Sequence, residues 1–156
     1  MSKDLILTML NGGKNGIVNT FNAVPDDRLT WKPLDNGRHA LDLFSDAAQT
    51  CAMVASVAES RGESKPGYED FKRMKEERAD WTKEIALDAM ETNFSRLITA
   101  IEALTDEELA TPVTMPIGGG MTMPLGAWLM MAYRTFTSRF GQINYIQTLY
   151  GDFESH

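Results

Sequence analysis

The run Leu87, Met90, Phe94, Leu97, Ile101, Leu104 places an apolar residue at alternating steps of three and four, without interruption. That spacing puts every member on one stripe of an α-helix, and so long a stripe has to be covered by other helices. The same periodicity recurs in three further segments. Leu5, Ile6, Met9, Leu10, Ile17 and Phe21 predict a first helix from Ser2 or Lys3 to Phe21, with Ser2 as N-cap. A second helix is predicted over His39–Ser60, on a stripe rich in small residues (Ala40, Ala47, Ala48, Cys51, Ala55, Ala58) that allows close packing. The helix bearing the first-named run starts near Thr82. A last helix begins at Pro124, a good first-turn residue, and ends at Tyr150 with Gly151 as its stop. Four long amphipathic helices predict an all-α fold, an up-and-down type four-helix bundle, in one domain spanning residues 1–156.

The connections carry their own signals. Two prolines and an Asn-Gly mark residues 24–37 as loop, and Trp31 within it is expected to cover an edge of the core. Arg61 to Gly67 breaks the second helix, and Tyr68 to Glu77 reads as a short, charged, solvated helix. Thr105-x-x-Glu108 is a capping box opening a helical turn. Two short extended pieces, Pro112–Ile117 and Met121–Pro124, flank Gly118-Gly119-Gly120 and predict a small β-hairpin before the last helix. A phosphate loop at these glycines needs a following Lys-Ser or Lys-Thr pair, and Met121-Thr122 stands there instead. Gly12, Gly13 and Gly16 fall inside the first helix, where each costs about 1 kcal/mol against alanine. Close approach by a neighbouring helix is the expected compensation.

Charge narrows the function. The chain of 156 residues carries a net charge of -7 with no basic stripe, which argues against nucleic acid as a partner. No apolar stretch is long enough to span a membrane, and the polar start of the chain does not read as a signal peptide, so a cytoplasmic location is expected. The single cysteine, Cys51, rules out an internal disulfide. It lies on the apolar face of the second helix, with no histidine at helical spacing to activate it, and is expected to be inert.

The seam of the last helix runs Leu125, Trp128 or Leu129, Ala132, Phe136, Arg139, Ile143, Ile146, Tyr150. Arg139 is out of place there, with Thr135 one turn before it. A charge on a core seam needs a partner, because an isolated buried charge is very costly. Asp46, among the apolar residues of the second helix, can supply one. The alternatives are an Asp46–Arg139 pair inside the bundle, or an arginine whose stem is buried while its head reaches water.

Trp31-Lys32-Pro33 followed by Ala40-Leu41-Asp42-Leu43-Phe44, with Gly141-Gln142-Ile143-Asn144-Tyr145 and Leu149-Tyr150-Gly151 near the end, resembles the DinB-like bundles. These are grouped with bacillithiol-transferase-like and mycothiol-dependent isomerase-like proteins. The resemblance implies a divalent metal on three histidines, one on the second helix and two at i, i+4 on the last. Carried over by position, those ligands fall at Asp46, Thr135 and Arg139. None is histidine. The two histidines present, His39 and His156, match no ligand position. Neither a metal nor another cofactor is therefore expected. The Arg139 guanidinium is expected to take the place of the cation, with Asp46 as counter-ion.

Three functions follow from this reading. The first is a non-catalytic bundle that binds a small molecule or a partner through the former metal cavity. The second is a metal-independent, thiol-dependent transferase or isomerase, with Arg139 holding an anionic substrate and Asp46 as base. The third is an interaction module working as a homodimer. An open pocket at Arg139 favours the second, and a filled core the first or third. Met115, Met121, Met123, Met130 and Met131 cluster around the hairpin and the last helix, either as core filling or as an adaptable ligand or dimer surface.

Overall fold

A computed structural model describes residues 2–117 and 119–156. Along the chain come α1 (Lys3–Asn22), α2 (Ala40–Glu59), α3 (Tyr68–Glu77), α4 (Lys83–Glu102), α5 (Asp106–Ala110), β1 (Pro112–Met115), β2 (Met121–Pro124), α6 (Leu125–Leu129) and α7 (Met131–Leu149). The caps are those the sequence supplies. Ser2 accepts from the Leu5 amide, Thr82 from Ile85 and Thr105 from Glu108, and the Glu108 carboxylate answers the Thr105 amide. At the start of α2 the cap is His39, whose Nδ1 accepts from the Asp42 amide at 3.1 Å. Each cap satisfies an amide that the first turn leaves without a partner.

The long helices run up, down, down, up. Lys3 Nζ reaches the carbonyls of Glu102 and Leu104, and Lys14 pairs with Glu91, so α1 and α4 are antiparallel. Thr20 meets Asn144 and Gln147 while Gly13 lies against Tyr133 and Phe136, so α1 and α7 are parallel. A second parallel pair is α2 and α4, where Cys51 touches Met90 and Glu59 pairs with Arg96. The segment through α3 is the long crossover that this pair requires. Phe21 stacks on Phe44 with ring centroids 4.0 Å apart, and Phe94 meets Phe136 at 6.1 Å, joining all four helices in one core. Trp31 is partly buried at the core edge and meets Tyr150 edge-on at 6.0 Å.

β1 and β2 form the expected antiparallel hairpin, pairing Pro112 with Pro124 and Met115 with Met121. Gly119 and Gly120 turn between them at φ 81° and 99°, and Gly118 lies outside the described residues. Gly62 ends α2 at φ 88°. A Cβ there would stand 2.5 Å from a methyl of Val113, so the hairpin seats on a glycine.

One expectation needs correction. The last helix is not continuous from Pro124 to Tyr150: Pro124 closes β2, and Met130 separates α6 from α7. α6 belongs to the hairpin. The Trp128 indole donates to the Val113 carbonyl at 2.9 Å, and a Cβ on Gly126 would stand 3.3 Å from the Leu109 carbonyl. α7 follows at Met131, and Met130 between the two keeps its amide on the Gly126 carbonyl and its carbonyl on the Arg134 amide. Gly151 does stop α7, at φ 92°, with the Asp152 amide closing back on the Gln147 carbonyl. α3 is the short, solvated helix expected, with no buried residue, and Phe71 and Met74 on it border a cavity.

Candidate functional site

Asp42 and Asp46 stand at i and i+4 on α2, one turn apart on one face. Arginines from three different parts of the chain converge on them. Arg38, in the loop before α2, holds Asp42 at 2.5 Å and reaches Asp46 at 3.3 Å. Arg78, at the end of α3, bridges the same two carboxylates at 2.7 and 3.3 Å. Arg139, on α7, places both Nε and Nη2 on Asp46 Oδ2, at 2.8 and 2.7 Å. Its Nη1 donates to the neutral Gln142 side chain at 2.8 Å. Arg78 also donates to Gln49.

The cluster is shielded from water without being sealed. The side chains of Arg78, Asp46 and Arg139 are 8%, 16% and 24% exposed. Burial pushes the Asp42 carboxyl up, but hydrogen bonds from Arg38 and Arg78 more than offset this and hold it below its ordinary value. Asp42 is therefore ionised near neutrality. Three guanidinium groups facing two carboxylates leave one unit of positive charge, inside a chain whose net charge is -7.

A cavity of about 200 Å³ opens beside the cluster, between α2, α3, the hairpin and α6–α7. Asp46, Thr50, Thr135 and Arg139 form its polar end. Its walls are apolar, with Val54, Val57, Pro66, Phe71, Trp128 and the methionines at 53, 74, 115 and 131. Both threonine hydroxyls donate back to their own helices, Thr50 to the Asp46 carbonyl and Thr135 to the Met131 carbonyl. Their lone pairs stay available to a guest.

The three residues singled out in the sequence, Asp46, Thr135 and Arg139, thus border one cavity, and Asp46 pairs with Arg139 across the bundle. The pairing is not exclusive. Arg38, Asp42 and Arg78 were not singled out, although Arg38-x₃-Asp42-x₃-Asp46 is an i, i+4, i+8 series visible in the sequence. Arg78 has no such signal, since only the fold brings the end of α3 back to α2. Cys51 is buried, donates to the Ala47 carbonyl at 3.4 Å, and has its thiol pushed up to about 12 by burial. It is not a nucleophile near neutrality. Of the other residues weighed, Tyr145 is exposed and Tyr133 covers Gly13.

The DinB superfamily profile matches residues 14–134, well over half of the chain. The chain belongs to the DinB superfamily. Solved structures agree on the fold. YfiT from Bacillus subtilis, a probable metal-dependent hydrolase with an unusual four-helix bundle topology, superposes with a TM-score of 0.77 at 13% identity, covering 97% of this chain and 90% of that one. The DinB-like protein YjoA from Bacillus subtilis gives 0.72 at 16% identity, covering 97% and 96%. The mycothiol-dependent maleylpyruvate isomerase gives 0.73 at 14% identity, and 92% of this chain spans 61% of that enzyme. Identities this low speak for the fold alone. No curated protein matches the chain by sequence.

Asp46, Thr135 and Arg139, the residues that the resemblance sets at metal positions, do not suit a divalent cation. A guanidinium has no lone pair to give, and the one carboxylate already faces three arginines. Among the described residues no group of three His, Cys, Asp or Glu is placed to hold an ion.

Proposed function

We propose that this DinB-superfamily chain has exchanged the metal site for an ion cluster and works as a non-catalytic bundle that binds a small molecule in the cavity beside Asp46, Thr135 and Arg139. One observation carries the reading: the Arg139 guanidinium lies 2.7 Å from Asp46 Oδ2, a cation fixed to the chain where the resemblance puts a bound ion. The profile match ends at residue 134, so the correspondence of Thr135 and Arg139 with metal ligands rests on the residues around them.

A second reading, a metal-independent transferase or isomerase using a thiol cofactor, is favoured by one fact: Arg139 borders an open cavity. One fact counts against it. Asp46, the base it requires, is engaged by Arg38, Arg78 and Arg139. We further propose that residues 1–156 act as one domain and that the chain pairs as a homodimer in the cytoplasm. No helix among the described residues is long and apolar enough to cross a membrane.

The test is metal content by elemental mass spectrometry on untagged protein, with melting curves recorded on adding nickel, zinc, iron or manganese. The reading expects substoichiometric metal and no rise in melting temperature, because a ligand that binds only the folded state must raise it. Near-stoichiometric metal lost on Asp46→Asn would overturn it and restore an enzyme to first place.

A further inference from the structure

Resting on the reading that the cavity takes a small molecule, we infer that its ligand is a monocarboxylate with a compact apolar body, its head on Arg139 and its body among the methionines. Three observations converge on this class.

Charge comes first. The cluster at the polar end carries one positive charge in excess, so a single negative head completes it. A cationic head would meet Arg139, the one arginine among the described residues that borders the cavity, with Arg38 and Arg78 behind Asp46. A dianion would overshoot the balance at a partly desolvated site, where unpaired charge is costly.

Donor geometry comes second. A guanidinium has five N–H groups. Asp46 takes the Nε–H and one side of Nη2, and Gln142 takes one N–H of Nη1. At least two N–H remain without an acceptor among the described residues. The group that Nη1 does hold is a neutral amide on the surface, which a carboxylate outcompetes because hydrogen bonds to an ionised acceptor are roughly twice as strong.

Size and lining come third. The volume is about 200 Å³. A dry cavity of about 150 Å³ holds benzene, so a six-carbon chain or a single ring fits. Met53, Met74, Met115 and Met131 give the wall a soft, adaptable surface suited to an apolar body of loosely defined shape.

The probe is hexanoate, compared with 1-hexanol and hexylammonium, titrated into protein carrying ¹³C-methyl methionine and followed by NMR. Hexanoate should move the signals of those four methionines and bind about tenfold more tightly than 1-hexanol, as expected for a charge-assisted contact. Hexylammonium should bind more weakly than either. Because Arg139→Gln also disturbs Asp46, the deciding variant is Gln142→Glu at an exposed position of α7. It places a carboxylate on Arg139 from within the chain, and should weaken hexanoate about tenfold while leaving 1-hexanol unchanged. Equal affinity for hexanoate and 1-hexanol, or no effect of Gln142→Glu, overturns the anionic head and leaves the pocket standing. Failure of all three probes to move the wall methionines overturns the pocket reading with it.

Discussion

α7 meets α1 and α2 in opposite ways. Toward α1 the inner part of the contact is filled, and a shallow cleft of about 320 Å³, lined by Met9, Gly12, Gly16, Thr137 and Phe140, lies outside it. Phe136 is fully buried, Gly13 lets the rings of Tyr133 and Phe136 close onto the α1 backbone, and the polar groups are neutral and satisfied, with Thr20 donating to Asn144 and Gln147 donating to the Thr20 carbonyl. Toward α2 the contact is an ion cluster beside a cavity. The cleft beside α1 is lined by uncharged residues, whereas the cavity beside α2 ends on an ion pair. A binding site on a rigid element keeps its geometry without a ligand, and the buried Phe136 gives α7 that support.

The largest test of this contrast removes apolar volume from each side. Phe136→Ala empties a position closed on all sides and should lower stability by about 3–5 kcal/mol in urea denaturation. Met131→Ala only enlarges an existing, partly open cavity and should cost about 1–2 kcal/mol. Similar losses would mean that the α2 side is as tightly packed as the α1 side.

Next come the charges. Asp46 faces three guanidinium groups and Arg139 meets one carboxylate. Asp46→Leu leaves three arginines against Asp42 alone and should cost about 2 kcal/mol, reduced from the fully buried case by partial exposure. Arg139→Met leaves Asp46 still paired with Arg38 and Arg78 and should cost about 1 kcal/mol. The double variant should not recover wild-type stability, since two arginines still lack their second carboxylate. Full recovery in a thermodynamic cycle would show that Asp46 and Arg139 form an isolated pair.

The glycines of α1 give a smaller pair of effects with opposite signs. Gly13→Ala would set a methyl 2.9 Å from the Tyr133 ring and should destabilise by about 1 kcal/mol, the overpacking exceeding the gain in helix propensity. At Gly12 a methyl meets nothing within 4 Å, and alanine should stabilise by about 0.5–1 kcal/mol. If both substitutions stabilise, Tyr133 gives way and the α1–α7 contact is looser than its distances suggest.

Reading the sequence recovered what depends on local spacing and missed what depends on return of the chain. The stripes, the Ser2 and Thr105 caps and the glycine hairpin each lie within a few residues of their cause. Arg139 stood out because a charge on an apolar seam violates a local pattern. Arg78 violates none, lying at the end of a helix charged on most of its faces, and its partners are 36 and 32 residues away in sequence. The break at Met130 was hidden for a related reason. The steps of three and four continue through it, and only the indole bond of Trp128 to the hairpin shows that α6 answers to a different neighbour.

The smallest expected effect is a pH dependence confined to the α2 side. His39 is held below its ordinary 6.5, first by burial and then by Lys32 and Arg38, with Asp42 and the Leu29 backbone only partly opposing. Its Nδ1 also has to stay unprotonated to cap α2. A histidine whose folded value is depressed takes up its proton more readily when unfolded. Below about 6.5 the unfolded chain therefore binds more protons, and stability falls as pH is lowered through that window. Asp42 is depressed too, but from 3.8, so its contribution is lost only at lower pH and the two windows separate. His39→Asn keeps a capping acceptor and removes the titration. Urea midpoints measured from pH 7 to pH 5 should slope downward for the wild type and flatten in His39→Asn. The Thr20–Asn144–Gln147 contact has no titrating group, so Thr20→Val should lower stability by the same amount at both ends of that range. A slope that survives in His39→Asn would place the titrating group elsewhere and remove the pH asymmetry between the two sides of α7.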